Sequence, residues 1–106
     1  MTTEDFRELC LTMPDAEEQM HFDKPSYRWK GKIFATLHHD TKRGVLKFNT
    51  EQQVEFAERD SKTFYTVQGG WGRQGYTYVE LQTVKKKDIE EAVKISFANV
   101  STKKKK

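Results

Sequence analysis

Apolar residues recur along this chain with two different spacings, and the change from one to the other marks the predicted helices and strands. Near the N-terminus the spacing is three and four residues, which predicts a helix that begins at Thr2 or Thr3 and ends before Pro14. The apolar face of this helix consists of Phe6, Leu9, Cys10 and Met13. The acidic segment from Pro14 to Pro25 has no regular pattern, so we interpret it as a long loop.

Alternating apolar and polar residues then predict five strands that are separated by turn residues. The predicted strands are residues 26–30, 32–39, 45–49, 64–67 and 76–82. The turns between the first three are short, which favours an antiparallel meander. The glycine-rich segment 68–75 is predicted to be a loop before the last strand.

A second helix is predicted between the third and fourth strands. Thr50 and Gln53 fit a capping box, which sets the N-terminus of this helix. We expect the helix to continue to about Arg59 and to bury Val54 and Ala57, with Phe56 as a further buried candidate.

The last helix is predicted for residues 88–100, with Asp88 as its N-cap and Glu91 three residues later. Its buried stripe consists of Ile89, Ala92, Val93, Phe97 and Val100. This start places lysines 85–87 just before the helix. We favour that placement because cations inside the first turn would oppose the helix dipole.

The order α-β-β-β-α-β-β-α predicts the α+β class, with one antiparallel sheet and helices packed on one of its faces. The face beneath the helices is assigned to Ile33, Leu37, Leu46, Phe48, Val79 and Leu81. Strand alternation leaves the opposite face to a combination of Arg28, Lys30, Phe34, Thr36, His38, Lys47, Tyr76 and Tyr78. Residues 1–102 are predicted to form one domain, and residues 103–106 a disordered lysine tail.

The charge of the chain is distributed unevenly. The 106 residues are 35% hydrophobic and 33% charged, which suits one small globular domain with a single core. The net charge is +3, but residues 1–24 carry −5 and residues 25–49 carry +5. The protein is therefore expected to have a polarised surface, which indicates more about binding than its total charge does.

The single cysteine, Cys10, cannot form an internal disulfide, which favours a reducing compartment. No apolar run approaches the roughly 20 residues that a membrane helix needs, and no signal-peptide pattern is present. We therefore expect a cytoplasmic protein with no membrane partner. A monomer is also expected.

Catalytic and metal-binding patterns are absent from the sequence. His38 and His39 are neighbours on a predicted strand, so they point to opposite faces and cannot easily bind one ion. No nucleophile–base order or nucleotide-binding glycine loop is recognisable. We expect a protein that is not an enzyme and has no metal and no cofactor.

Several segments, taken in order, resemble the MmcQ/YjbR-like family. They are residues 11–18, 21–23, 24–28, 31–37, 46–49 and 71–79, together with the closing amphipathic helix. The resemblance covers the chain from about Thr3 to Ser101. It implies a frataxin-like (CyaY-like) α+β fold with a double-wing-like β arrangement, and a DNA-binding function, but no catalytic or binding positions.

The residues themselves provide candidates for nucleic-acid binding, because cations neutralise phosphates and aromatic rings stack on bases. The candidates are Arg28, Lys30 and Lys47 on the sheet face, Trp71 and Arg73 in the glycine-rich loop, and Lys85, Lys86 and Lys87 near the last helix. We predict an accessory protein that binds DNA or RNA mainly by electrostatic attraction. Two alternatives stay open: a protein-interaction module that uses the sheet face or the acidic loop, and a small-ligand binder with a pocket near Trp71 and Tyr76.

Overall fold

A computed structural model describes residues 1–21 and 23–101, so the predicted tail at residues 103–106 lies outside the described residues. The elements in chain order are α1 (Thr3–Leu11), β1 (Glu17–His21), β2 (Lys24–Trp29), β3 (Lys32–His38), β4 (Arg43–Lys47), α2 (Thr50–Arg59), β5 (Phe64–Thr66), α3 (Gly70–Arg73), β6 (Tyr76–Glu80) and α4 (Lys86–Ser101). Within this part of the chain, no helix combines the length and the apolar character needed to cross a membrane.

The six strands form one antiparallel sheet in the order β1-β2-β3-β4-β6-β5. Helices α1, α2 and α4 pack against the sheet and enclose the core between them. This architecture confirms the predicted α+β class with a single antiparallel sheet. The element order is longer than predicted by one strand, β1, and one short helix, α3.

The sequence suggested that the segment from Pro14 to Pro25 is a long loop, and this interpretation is wrong. Residues 17–21 of the segment form β1, which pairs with β2 from Glu17↔Arg28 to His21↔Lys24. All five residues of β1 are exposed, so the strand has no apolar–polar alternation. Pairing with a neighbouring strand, and not burial, defines β1, which explains why a search for periodicity missed it.

Helix α1 follows its prediction closely. A capping box between Thr2 and Asp5 sets its start. Phe6 and Cys10 are buried, and the Phe6 ring meets the Tyr27 ring edge-on at 6.3 Å between centroids. Gly44 of β4 lies directly beneath Phe6, because a Cβ atom added there would come within 2.7 Å of the Phe6 ring.

Helix α2 begins with a capping box one residue earlier than predicted, formed by Asn49 and Gln52. Gln53 and Phe56 are its buried residues. Val54 is 54% exposed, so the prediction that it is buried is wrong. The buried face of α2 therefore begins one residue earlier than predicted, at Gln53 and not at Val54. Gln53 can be buried because its amide group donates hydrogen bonds to the backbone oxygens of Gly72 and Tyr76.

Helix α4 starts at Lys86, two residues before the predicted start, so Lys86 and Lys87 lie inside its first turn. Asp88 is therefore not the N-cap. Asp88 and Glu91 instead form ion pairs with Arg59 of α2, at N–O distances of 3.5 and 2.9 Å. These ion pairs link two helices and give both carboxylates a partner outside α4.

A β-bulge in β3 interrupts the alternation of its side chains. Tyr27 of β2 pairs with Ala35, whereas the next residue, Arg28, pairs with Ile33. Phe34 is consequently an extra residue in β3, where two residues oppose one.

The bulge places Phe34 on the side of the helices, where it is completely buried and meets the Phe97 ring of α4 at 5.3 Å. Ile33 lies on the other side of the sheet. The sequence interpretation placed Ile33 inward and Phe34 outward, and both assignments are wrong because the period of two fails at a bulge.

Candidate nucleic-acid interface

The face of the sheet opposite the helices is named the outer face here. Its side chains alternate with buried residues of the same strands, and they are Arg28, Ile33, Thr36, His38, Arg43, Val45, Lys47, Tyr65, Tyr76, Tyr78 and Glu80. Cross-strand pairs join Thr36 to Val45, Val45 to Tyr78, and Tyr78 to Tyr65 in one row. The outer face therefore mixes cations, aromatic rings and small apolar side chains.

The outer face is concave and forms a pocket of about 310 Å³. The apolar and aromatic part of its lining consists of Ile33, Val45, Val67, Trp71, Tyr76 and Tyr78. The polar part consists of His21, Asp23, Lys24, Thr36 and His38. A mainly apolar cleft with a few polar groups is the usual form of a binding site.

Two cations lie over the aromatic rings of β6. The ammonium nitrogen of Lys47 is 4.9 Å from the centre of the Tyr76 ring, and the guanidinium carbon of Arg43 is 4.1 Å from that of Tyr78. Both distances are within the range of cation–π attraction. Cationic and aromatic groups are therefore adjacent on this surface, as the sequence pattern predicted.

The charge of Arg43 is partly offset by its neighbours. Its Nη1 atom donates a hydrogen bond of 3.1 Å to the Tyr65 hydroxyl, which in turn donates one to the Glu80 carboxylate. The hydrogen bond to Tyr65 raises the pKa of Arg43. Burial, together with the bond to Glu80, raises the pKa of Tyr65. Arg43 thus stays charged, but within a cluster that includes a carboxylate.

Lys47 has a different environment. Its ammonium group donates a hydrogen bond of 3.1 Å to the backbone oxygen of Gln74, and no ion pair involves it within residues 1–21 and 23–101. Its charge is available to an anion at the edge of the pocket.

Trp71 is 59% exposed and lies in α3, with its ring edge-on to Tyr76 at 5.0 Å. Gln53 of α2 holds this segment in place, because its Nε2 atom donates hydrogen bonds to the backbone oxygens of Gly72 at 3.1 Å and Tyr76 at 3.0 Å. A Cβ atom at Gly72 would lie 1.9 Å from the Val67 oxygen, so only glycine permits this close approach. Sequence reasoning missed Gln53, whose signal is only a polar residue on a helix face that is otherwise apolar.

His38 lies in the pocket with its ring edge-on to Tyr78 at 6.0 Å. Burial lowers the pKa of His38, and the positive charges of Lys24 and Arg43 lower it further, against the weaker opposing effects of Asp40 and Asp23. The imidazole is therefore neutral near pH 7, and one ring nitrogen can donate a hydrogen bond while the other accepts one.

Three of the eight predicted site residues lie on or beside the outer face: Arg28, Lys47 and Trp71. Arg28 pairs with Ile33 and donates from Nε to the Ser26 hydroxyl at 3.0 Å. Lys30 lies in the turn between β2 and β3, with its ammonium nitrogen 4.9 Å from the Trp29 ring.

The other four predicted residues lie elsewhere. Arg73 is the exposed last residue of α3. Lys85, Lys86 and Lys87 lie at the start of α4, and Lys86 lines a groove with Asp5 and Glu8 of α1. These lysines belong to the helix side of the sheet, so the structure does not bring them together with Lys47 and Trp71.

Groups for metal or thiol chemistry do not converge in the described part of the chain. No three His, Cys, Asp or Glu side chains among residues 1–21 and 23–101 are arranged to hold a metal ion. Cys10 is buried, and this burial raises the pKa of its thiol. A thiol in that state is a poor nucleophile.

Comparison with known proteins agrees with this fold. The sequence profile of the YjbR family matches residues 11–99. The crystal structure of the Deinococcus radiodurans protein DR2400, of domain family DUF419, has the same fold, with a TM-score of 0.82 and 21% sequence identity over 96% of this chain and 80% of that chain. No curated protein matches the sequence. Since the family profile covers most of its length, and as the resemblance indicated, this chain belongs to the YjbR family.

Proposed function

We propose that this protein binds single-stranded nucleic acid on the outer face of its sheet and does not catalyse a reaction. The observation that carries the proposal is the position of Lys47 over the Tyr76 ring at the pocket. A cation beside an aromatic platform offers a phosphate contact and a stacking contact within one nucleotide's reach.

The balance of charge on this face supports an anionic ligand. Asp23 is paired with Lys24 at 3.3 Å, and Glu80 is bound by the Tyr65 hydroxyl. Arg28 and Lys47 form no ion pair within residues 1–21 and 23–101. Arg28 pairs with Ile33, and Lys47 lies over Tyr76, so each of these cations is next to a residue of the pocket lining. This placement favours a phosphate backbone.

The shape of the site favours single strands over duplexes. The rings of Trp71, Tyr76 and Tyr78 line a concavity. Bases in a duplex are stacked and paired, whereas the unstacked bases of a single strand can enter such a pocket.

The proposal is tested by fluorescence polarisation with labelled single- and double-stranded DNA and RNA at about 50 and 200 mM salt. The full chain is compared with a version in which lysines 103–106 are replaced by serine. We expect single strands to bind both versions, more weakly at the higher salt concentration. Binding that disappears with the four lysines would reduce the activity to a property of the tail and contradict the proposal.

A matched pair of variants locates the binding surface. Lys47→Ala should lower affinity and reduce the slope of log K against log salt concentration by about 0.7, the value for one contact with a single strand. Lys62→Ala removes the same charge from an exposed turn between α2 and β5 and should leave the slope unchanged. Equal effects of the two variants would argue against the outer face.

A small-ligand binder is the second candidate, and the mainly apolar lining of the pocket favours it. Its 310 Å³ is at the lower end of the size range of small-molecule sites. A thermal-shift screen against metabolites tests it, because a ligand that binds the native state raises the melting temperature. A strong shift with one metabolite, in a protein that binds no oligonucleotide, would favour this candidate.

A further inference from the structure

The floor of the pocket is apolar because of the bulge in β3. The bulge turns Ile33 onto the outer face, where it lines the pocket together with Val45 and Val67. A regular strand would place Phe34 there, and its ring would fill the space that is open in this structure. The sheet thus has an apolar area at the centre of a more polar face.

Three polar side-chain groups at the edge of this floor have no hydrogen-bonding partner within residues 1–21 and 23–101. They are the Thr36 hydroxyl, the His38 imidazole and the Tyr76 hydroxyl. A neutral imidazole and two hydroxyl groups can each donate or accept. They therefore suit a ligand whose edge carries both donors and acceptors.

The pocket also has an aromatic wall. Trp71 and Tyr76 meet edge-on at 5.0 Å, which leaves much of the indole surface exposed. Gln53 holds the segment that carries both residues, so the wall is positioned before any ligand arrives. A preorganised wall lowers the cost of ordering upon binding.

We propose that this pocket receives one unstacked nucleobase of a bound strand. The base lies over Ile33 and Val45 beside the aromatic wall, its polar edge faces Thr36 and His38, and the adjoining phosphate lies near Lys47. This inference rests on the proposed function, since it assumes that a single strand binds the outer face. The mixed donor and acceptor groups make the pocket tolerant of different bases.

The test compares two probes of equal length and backbone charge, an oligothymidine strand and a strand of abasic residues, by fluorescence polarisation with the full chain. Base stacking predicts that oligothymidine binds at least about tenfold more tightly. Val45→Trp fills the pocket without changing charge and should reduce the difference between the probes to about twofold or less. Ser61→Trp adds the same side chain in an exposed turn and should preserve the difference.

Each contrary outcome has a distinct meaning. Equal binding of the two probes would show that phosphates alone hold the strand, which overturns the base pocket and leaves the proposed function intact. A tenfold difference that persists in Val45→Trp would place the bases elsewhere and also overturn it. Binding of neither probe would overturn the proposed function itself.

Trp71→Ala provides a second variant that does not depend on how the sheet tolerates Trp at position 45. The Trp71 side chain is largely exposed, so its removal should leave the fold intact. We expect the preference for oligothymidine over the abasic strand to fall several-fold, with little change in binding of the abasic strand. An unchanged preference would contradict the aromatic wall.

Discussion

The hydroxyl group of Ser96 in α4 donates a hydrogen bond to the backbone oxygen of Phe34, the extra residue at the bulge of β3. The same hydroxyl accepts a hydrogen bond of 2.9 Å from the backbone nitrogen of Lys47 in β4. One buried side chain thus joins the last helix to the two strands that carry the centre of the outer face. The helix side of the sheet therefore helps to fix the geometry of the pocket on the other side.

Ser96→Ala should destabilise the protein by about 1–3 kcal/mol, because a buried backbone N–H group and a buried carbonyl group lose their shared partner. Urea denaturation measures the change in the free energy of unfolding. Ser61→Ala, in an exposed turn, is the control and should change it by less than about 0.5 kcal/mol. Equal stabilities of the two variants would contradict the role of Ser96.

Gly44→Ala should destabilise the protein by about 1–3 kcal/mol, because the added methyl group would overlap the Phe6 ring at 2.7 Å. Gly70→Ala is the matched control, since a Cβ atom there meets nothing within 4 Å. Thermal and urea denaturation compare the two variants. Adding Phe6→Leu to Gly44→Ala should recover part of the lost stability. If the double variant loses as much free energy of unfolding as the two single variants together, direct overlap between the two side chains is contradicted.

Gln53→Leu keeps the approximate volume of the side chain but removes the donor for the backbone oxygens of Gly72 and Tyr76. We expect a loss of about 1–3 kcal/mol, since these acceptors lose a buried partner. The segment around Trp71 should also loosen, which acrylamide quenching of its fluorescence can detect. Gln82→Leu, at an exposed position, should alter neither measurement.

The stability of the protein should depend on pH through His38. Its folded pKa lies below the ordinary value of 6.5, so below that pH the unfolded chain binds more protons than the native state. The contribution of neutral His38 to the free energy of unfolding is complete above pH 6.5. It is lost as the pH falls through the pKa that His38 has in the folded protein. Lys24 and Arg43 face the ring and lower its pKa after burial, whereas Asp40 and Asp23 oppose them.

Urea denaturation at pH values of about 7.5 and about 5.5 tests this dependence. His38→Gln should show a smaller decrease in the free energy of unfolding between the two pH values than the unaltered protein. The exposed neighbour His39 supplies the control, because His39→Gln should retain the full decrease. An identical decrease in His38→Gln would contradict the assigned environment.

The sequence predicted the elements whose side chains follow a regular period. Phe6 and Cys10 of α1 are buried as expected, because their spacing reports directly on one helix face. Four residues of the predicted stripe of α4 are also buried, and they are Ile89, Ala92, Val93 and Val100. Phe97, the fifth, is only partly buried against the core. The exposed strand β1 could not be predicted in this way, since all five of its residues face solvent. Its existence depends on pairing with β2, the next strand in the chain, and the polarity pattern of residues 17–21 does not reveal that pairing.

The candidate site was predicted in composition but not in arrangement. Lys47 was identified from the interleaving of cations and rings on the strands, and Trp71 from its place in the glycine-rich loop. Trp71 lines the pocket, and Lys47 lies over the ring of Tyr76, which also lines it. Ile33 and Phe34 were exchanged between the faces, because a bulge among three consecutive strand-forming residues leaves no trace in local propensity. Lys85, Lys86 and Lys87 were candidates for binding only because they are charged. Charge alone does not show on which side of the sheet a residue lies.

NMR can show whether nucleic acid binds to the outer face of the sheet. Backbone amide shifts of the ¹⁵N-labelled full chain are followed during titration with a single-stranded oligonucleotide. We expect the shifts to concentrate in β3, β4, β6 and the segment around Trp71, while α1 and the start of α4 change little. Shifts that concentrate around Lys86 and α1, with the outer face unchanged, would contradict this expectation.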